Sequence, residues 1–224
     1  MPSVRISDAE TGAELHSLAH AGNGVWTVRF LTSGNELLSG DASGAIRVWD
    51  IRTGTELRKI TGTWAWVQGI VLTVDAKRII GPGPENTIRF WDLETGNEAD
   101  LLGGFEQAAW SVALAPNEKL MASAHRGGAV ELWDLTTRTK KTLGQHSGDA
   151  YAVTFSPDGK LLVSTGSDGL ARVWKVEDGK LWKTLEGHKS GIPHAAFSPD
   201  GKRLATSCWD GSIMLWDLEE KENQ

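Results

Sequence analysis

Hydrophobic and polar residues alternate with a period of two in short runs along this chain. The clearest runs are Ala150–Phe155 (AYAVTF) and residues 161–165 (LLVST), and runs of this kind end at Gly, Pro or Asp. Such alternation predicts short β-strands bounded by turns. No long run carries apolar residues at the helical spacing i, i+3, i+4, i+7, so the pattern predicts an all-β protein.

A longer period overlies this alternation. Five tryptophans recur in one local frame, in IRVWD, IRFWD, VELWD, ARVWK and IMLWD, at Trp49, Trp91, Trp133, Trp174 and Trp216. FSPDG occurs at 155–159 and again at 197–201, and a Thr-Gly or Asp-Gly turn follows several of the tryptophan frames. Each unit of about 42 residues therefore reads as four strands joined by tight turns, which predicts a four-stranded antiparallel blade.

Each repeat combines up to four short motifs at fixed offsets: Gly-His, Ser-Pro-Asp-Gly, Asp-Gly and Trp-Asp. Because of this combination, the chain resembles the WD-repeat β-propeller family over nearly its whole length. The resemblance implies an all-β propeller of four-stranded antiparallel blades, whose strands are lettered a (innermost) to d. We predict a single domain over residues 1–224. It contains a partial blade at 3–17 and five repeats at about 18–50, 60–92, 102–134, 143–175 and 185–217.

Five repeats plus a half-blade leave the closure of the ring open. The ring is either closed and five-bladed, or incomplete and completed by self-association as a homo-oligomer. The third arrangement is a fragment of a longer propeller. An incomplete ring exposes apolar faces and unpaired strand edges, which another copy of the chain would cover.

The family resemblance also implies a buried hydrogen-bond network of histidine, Ser or Thr, aspartate and tryptophan in each blade. The matching positions are His146, Ser164, Asp168 and Trp174 in the fourth repeat, and His188, Thr206, Asp210 and Trp216 in the fifth. Histidine, serine and aspartate also make a hydrolase triad. The set occurs twice, however, once with threonine, and each time with a tryptophan whose indole N–H needs an acceptor. We therefore predict a structural role and no catalytic residues.

The network is expected to weaken toward the N-terminus. In the first repeat Ala21 stands at the histidine position and Ser43 at the aspartate position. In the third repeat the same positions hold Phe105 and Gly127.

A second group of large side chains falls, by the same resemblance, on the face formed by the d–a and b–c loops. Its members are Trp26, Trp64, Trp66, Trp110, Tyr151, Arg126 and Trp209. They either fill the channel and cover short loops, or form a binding surface, because Trp, Tyr and Arg dominate interface hot spots.

The composition limits the classes of partner that the chain can bind. With 23 Lys and Arg against 29 Asp and Glu the net charge is −6, and the sequence contains no long basic cluster, so no nucleic acid partner is expected. The one cysteine, Cys208, allows neither an intrachain disulfide nor a multi-thiolate metal site, and no cofactor or metal is predicted.

The chain shows no signal-peptide core and no membrane span, so we expect a cytoplasmic protein without a membrane partner.

The function that the resemblance implies is a non-catalytic scaffold that binds a protein or peptide on the tryptophan-rich face. One alternative is a propeller that binds small, sugar-like ligands, which requires an equivalent pocket in each blade. The aromatic slot instead varies as Trp, Gln, Trp, Tyr and Pro. Another alternative is a self-assembling propeller fragment with no partner of its own. An enzyme is not expected, because no Asp/Glu/His cluster recurs at the inner strands.

Overall fold

The computed structural model describes residues 2–20, 24–31, 33–61 and 69–219. Across these ranges the chain forms 21 β-strands and no α-helix. The chain divides into two compact units, Met1–Ala108 and Ala109–Gln224, which are described separately. Every pair of neighbouring strands within a sheet is antiparallel.

The first unit contains a two-stranded half-blade and two four-stranded blades. Its strands are β1 (Ser3–Ser7), β2 (Glu14–Ala19), β3 (Val25–Phe30), β4 (Glu36–Asp41), β5 (Ile46–Asp50), β6 (Thr55–Ile60), β7 (Val71–Leu72), β8 (Arg78–Gly83), β9 (Thr87–Asp92) and β10 (Glu98–Leu102). The half-blade is β1–β2, the first blade is β3–β6 and the second blade is β7–β10.

The second unit contains two four-stranded blades and a three-stranded blade. Its strands are β11 (Ala109–Leu114), β12 (Leu120–His125), β13 (Ala129–Asp134), β14 (Thr139–Gln145), β15 (Ala150–Phe155), β16 (Leu161–Gly166), β17 (Ala171–Lys175), β18 (Leu181–Leu185), β19 (His194–Phe197), β20 (Arg203–Ser207) and β21 (Ile213–Asp217). The third blade is β11–β14, the fourth is β15–β18 and the fifth is β19–β21.

The Ser-Pro-Asp-Gly turn shows how the sequence sets the blade. In the fourth blade Ser156 Oγ donates to Asp158 Oδ1 at 2.7 Å and also accepts the backbone N–H of Leu161 at 2.9 Å. Gly159 adopts a φ of +71°, a left-handed conformation that favours glycine. These side-chain and backbone preferences close the hairpin between strands a and b, so the alternating apolar positions of both strands keep a common register.

The fourth blade is buried on both of its faces. Phe155, Leu162 and Trp174 belong to one apolar cluster, together with side chains of the third blade such as Ala122. Residues on the opposite side of the same strands pack against the fifth blade in a second apolar cluster. The buried members of this cluster include Val163, Val173, Ile192 and Leu204. A sheet that is covered on both faces needs apolar residues at successive positions, which explains the dense hydrophobic runs of the repeats.

The prediction of an all-β fold built from antiparallel propeller blades is confirmed. The two strands of the half-blade, β1 and β2, precede five copies of strands a, b and c. The fifth blade stops at strand c, so within its own sheet β21 is an edge strand.

Candidate interaction surface

The fourth blade carries a complete hydrogen-bond network. The Trp174 indole N–H donates to Ser164 Oγ at 2.9 Å, and His146 Nε2 lies 2.9 Å from the same oxygen. His146 Nδ1 lies 2.8 Å from Asp168 Oδ1. Strand b supplies the serine, strand c supplies the tryptophan, and the flanking loops supply the other two side chains. Each buried polar group has a partner, which makes the burial tolerable.

Electrostatics in this network favour a neutral histidine beside an ionised carboxylate. Burial lowers the pKa of His146, although Asp168 acts against this effect. Burial opposes ionisation of Asp168, but hydrogen bonds from His146 and Arg172 outweigh it and hold the pKa of Asp168 below its usual range. Arg172 Nη1 donates to Asp168 Oδ2 at 2.8 Å. This arginine, which stands two positions before the strand c tryptophan, was not among the predicted network residues.

The fifth blade differs from the predicted network at one contact. The Trp216 indole N–H donates to Thr206 Oγ1 at 2.8 Å, and His188 Nε2 lies 2.7 Å from that oxygen. His188 Nδ1 then meets Ser212 Oγ at 3.0 Å, and Ser212 Oγ donates to Asp210 Oδ1 at 2.5 Å. The serine hydroxyl therefore lies between the histidine and the aspartate. The fourth blade has Leu170 at that position and no hydroxyl to insert.

The expected weakening of the network toward the N-terminus is wrong for the first blade. His20, rather than Ala21, places Nε2 3.0 Å from Ser39 Oγ, which also accepts the Trp49 indole N–H at 2.7 Å. His20 Nδ1 lies 3.3 Å from Asp41 Oδ2, so Asp41 replaces the aspartate that is missing at Ser43.

A buried arginine completes the first-blade network. Arg47 donates to Asp41 and also lies 3.0 Å from Glu56. Burial opposes ionisation of Asp41, but hydrogen bonds from Ser43, Arg47 and His20 outweigh burial and lower its pKa.

The third blade also recruits a histidine from an unexpected position. His125, the last residue of β12, places Nε2 2.8 Å from Ser123 Oγ, whereas the repeat offsets put the histidine position at Phe105. Glu131, on the neighbouring strand, pairs with Lys140 at 2.9 Å and lies 3.6 Å from His125. The end of strand b can thus supply a polar side chain that the loop does not.

The second blade has Gly81 at the serine position, and an added Cβ there would lie 2.9 Å from a methyl group of Ile70. This blade is anchored by apolar contact, with Trp91 fully buried.

Two of the predicted surface aromatics meet in the second unit. The rings of Tyr151 and Trp209 have centroids 4.8 Å apart at an interplanar angle of 46°, and we call them the Tyr151–Trp209 pair. Trp209 is 60% exposed, while Tyr151 is half-buried. Gly191 lies against both rings, because an added Cβ there would fall 2.9 Å from Tyr151 Cε2 and 3.5 Å from Trp209 Cε3. Burial, followed by the charge of Asp149, raises the pKa of Tyr151.

The other predicted surface residues occupy varied environments. Trp110, on β11, is half-buried, and its indole nitrogen is buried without a hydrogen-bond acceptor in the described part of the chain. Arg126 is exposed directly after β12. Trp26 is exposed on β3 of the first unit. Trp64 and Trp66 lie outside the described residues.

Apolar side chains are also exposed on two strands near the ends of the repeat array. On β21, Ile213 and Leu215 are each 73% exposed, whereas their fourth-blade equivalents, Ala171 and Val173, are fully buried. On β3, Phe30 is 63% exposed, whereas the equivalent Phe155 is 9% exposed. These residues have the chemistry of an inter-blade core but face solvent in the chain.

Repeated four-stranded antiparallel blades with a tryptophan on the third strand define the β-propeller class of proteins. The family model described as "WD domain, G-beta repeat" matches residues 12–50, 137–175 and 179–217, which together make more than half of the 224 residues. The chain belongs to this family.

A search among curated proteins returned no match. Within the described ranges, no helix is long and apolar enough to cross a membrane.

Proposed function

We propose that the chain is a non-catalytic interaction scaffold that binds a protein or peptide segment through the Tyr151–Trp209 pair. Domains of this family typically act as protein-interaction scaffolds and are generally non-catalytic. The observation that supports the site is the 60% exposed indole of Trp209, which rests on the Tyr151 ring. Tryptophan is the side chain that most often carries binding energy at protein interfaces.

The blade restrains the backbone of Trp209 and one side of its indole before any partner arrives. The backbone N–H of Trp209 donates to Gly191 O at 3.1 Å, and the Tyr151 ring contacts one side of the indole. A side chain that is restrained in this way loses less conformational entropy on binding than a free one, so more of the contact energy contributes to affinity. An apolar or aromatic side chain of a peptide would cover the exposed part of the indole.

The test is a peptide-library selection on the immobilised full chain, followed by affinity measurement of the selected peptides. Trp209→Ala should weaken their binding by at least about ten-fold, the loss expected for a moderate hot spot. Leu57→Ala is the matched control, since it removes another exposed apolar side chain that lies outside the pair, on β6, and binding should be unchanged. Equal affinity for the wild type and Trp209→Ala would remove the pair from consideration.

A second candidate function is self-association, which the exposed apolar residues of β21 and β3 favour. An edge strand with two 73% exposed aliphatic side chains is a template for pairing with another chain. Light scattering should then show a dimer or larger assembly. Leu215→Asp should shift it to a monomer, while Leu181→Asp, at an exposed position on β18, should not. A monomeric wild-type chain would instead favour the closed arrangement.

A further inference from the structure

Three side chains with different metal-binding atoms meet at the end of strand b in the fifth blade. A nitrogen of His188, Sγ of Cys208 and a carboxylate oxygen of Asp210 all lie within 4.8 Å of one another. We propose that these residues form a binding site for one thiophilic divalent cation of the zinc class. Imidazole, thiolate and carboxylate are the ligands that zinc takes in proteins, in tetrahedral sites with three or four protein groups.

His188 is oriented for this role by the blade's own hydrogen bonds. Its Nε2 lies 2.7 Å from Thr206 Oγ1, and that oxygen also accepts the Trp216 indole N–H. Its Nδ1 faces Ser212, which is bonded to Asp210, so Nδ1 is the nitrogen on the side of the carboxylate. Without a metal ion, Ser212 gives its proton to Asp210, so His188 Nδ1 donates to Ser212 Oγ. Metal binding moves the imidazole proton to Nε2, where Thr206 Oγ1 accepts it, and the Nδ1 lone pair then binds the ion in place of the Ser212 contact. A hydrogen bond to the second nitrogen is the usual support of a metal-binding histidine.

Cys208 and Asp210 supply the charge. The Cys208 thiol is buried and donates to Ser190 O at 3.2 Å, whereas Asp210 is exposed, with Oδ1 accepting the Ser212 hydroxyl. Binding forms an S–metal bond, and the thiol proton leaves to solvent. Thiolate and carboxylate then balance the charge of a divalent cation, and the histidine stays neutral. A sulfur ligand selects zinc-like ions over calcium and magnesium, which prefer oxygen.

The fourth blade is an internal comparison that lacks the site. Its equivalent of Cys208 is Gly166, and an added Cβ there would come within 2.5 Å of His146 Nδ1. That nitrogen is bonded directly to Asp168, and Arg172 brings a positive charge to the same carboxylate. The fifth blade has Met214 where the fourth has the arginine, so no guanidinium competes with a cation.

The test uses the reduced full chain with Co²⁺ as a spectroscopic probe and Zn²⁺ as competitor. One Co²⁺ per chain should bind with a thiolate-to-cobalt charge-transfer band, and Zn²⁺ should remove that band. Cys208→Ser should abolish the band. Asp210→Asn should weaken binding by at least about ten-fold, the lower end of what loss of a supporting residue costs. Asp200→Asn, in another turn of the same blade, is the matched control and should bind like the wild type.

Circular dichroism of each variant shows that it is folded before its metal binding is compared. Cys208→Ser changes one atom in the side chain, so the blade should keep its spectrum. Two results would overturn the site: Co²⁺ binding without a thiolate band, or equal affinity in the wild type, Cys208→Ser and Asp210→Asn. Either result would assign the bound ion to surface histidines such as His194.

Discussion

The fourth and fifth blades share one sequence motif but differ in what surrounds it. In the fourth blade, four strands lie between two apolar clusters and Trp174 is buried. In the fifth, three strands leave Trp216 half-buried and expose the apolar residues of β21. The motif therefore sets the hydrogen bonds of a blade, while the neighbouring strands set how much those bonds and the tryptophan contribute to stability.

The two networks also end differently. The fourth blade closes on a direct histidine–aspartate contact with Arg172 at the carboxylate, whereas the fifth inserts Ser212 and holds Cys208 nearby. In the fourth blade the charge of Arg172 pairs with the aspartate of the network, whereas in the fifth blade the aspartate is exposed to solvent. Matched variants in the two blades therefore measure how much of the stability comes from the motif and how much from the neighbouring strands.

The largest difference is expected for removal of the strand c tryptophan. Trp174→Ala should lower the free energy of unfolding by about 3–5 kcal/mol, because it opens a cavity in a closed core. Trp216→Ala should cost at least ~1 kcal/mol less, since solvent already reaches that ring. Urea denaturation followed by circular dichroism measures both. Equal losses would show that the number of neighbouring strands does not govern the contribution of the tryptophan.

The strand b hydroxyl should give the next effect. Ser164→Ala removes the acceptor of the Trp174 indole and leaves buried polar groups unpaired, at a cost of about 2 kcal/mol. Thr206→Val keeps the shape of its side chain, and water can reach the half-buried Trp216, so a loss below ~1 kcal/mol is expected. The same denaturation experiment compares them, and a costlier Thr206→Val would contradict the assigned difference in burial.

A smaller effect is expected from filling the space beneath each tryptophan. A Cβ at Gly144 would collide with the Trp174 ring, so Gly144→Ala should destabilise by about 1–2 kcal/mol. A Cβ at Gly187 would approach the flexible Met214 side chain at 3.1 Å and the Trp216 ring at 3.4 Å, and should cost less than ~1 kcal/mol. Thermal melts rank the two variants. The reverse order would mean that the fourth-blade core yields more readily than the fifth.

The smallest effect is a dependence of stability on pH that arises in the fourth blade. Burial holds the pKa of His146 below its ordinary value of 6.5, so the unfolded chain binds a proton at a pH where the folded blade does not. The free energy of unfolding should therefore fall as the pH drops below 6.5, by at most ~1.4 kcal/mol per pH unit for this group.

His146→Gln should reduce that slope and leave the part contributed by His20, whose pKa burial also lowers. Denaturation at a series of pH values measures the slope, with His188→Gln as the matched variant in the fifth blade. A slope that is unaffected by His146→Gln would exclude this histidine as its source.

The blades could be predicted from sequence because their signals are local. Alternation gives the strands, Gly159 and its counterparts give the turns, and the recurring tryptophan frame gives the period. Each of these features depends on a few neighbouring residues, which a sequence shows directly. The fourth-blade quartet, His146 to Trp174, could be placed because the family resemblance implies it and its offsets repeat in the fifth blade.

The remaining contacts depend on side-chain reach across strands. His20 and Asp41 fill the first-blade network from one and two positions before the expected ones, and His125 does so from the end of a strand. When a histidine or aspartate moves by one or two positions along the chain, the repeats still align almost equally well. The move nevertheless decides which side-chain atoms come within hydrogen-bond distance. The exposure of individual side chains could not be predicted from the sequence either. Leu215 and Val173 occupy equivalent positions of the repeat, and they differ in exposure because another sheet covers only Val173.

The position at the end of strand b, which in the fifth blade directly follows the strand, has a consequence for engineering. The same position holds Asp41 in the first blade, His125 in the third, Gly166 in the fourth and Cys208 in the fifth, while the strand c tryptophan stays in its frame. The repeat thus separates a constant anchor from a replaceable side chain one strand away. A designer can exchange that side chain in the blades that already carry one, whereas at Gly166 an added Cβ would first have to displace His146.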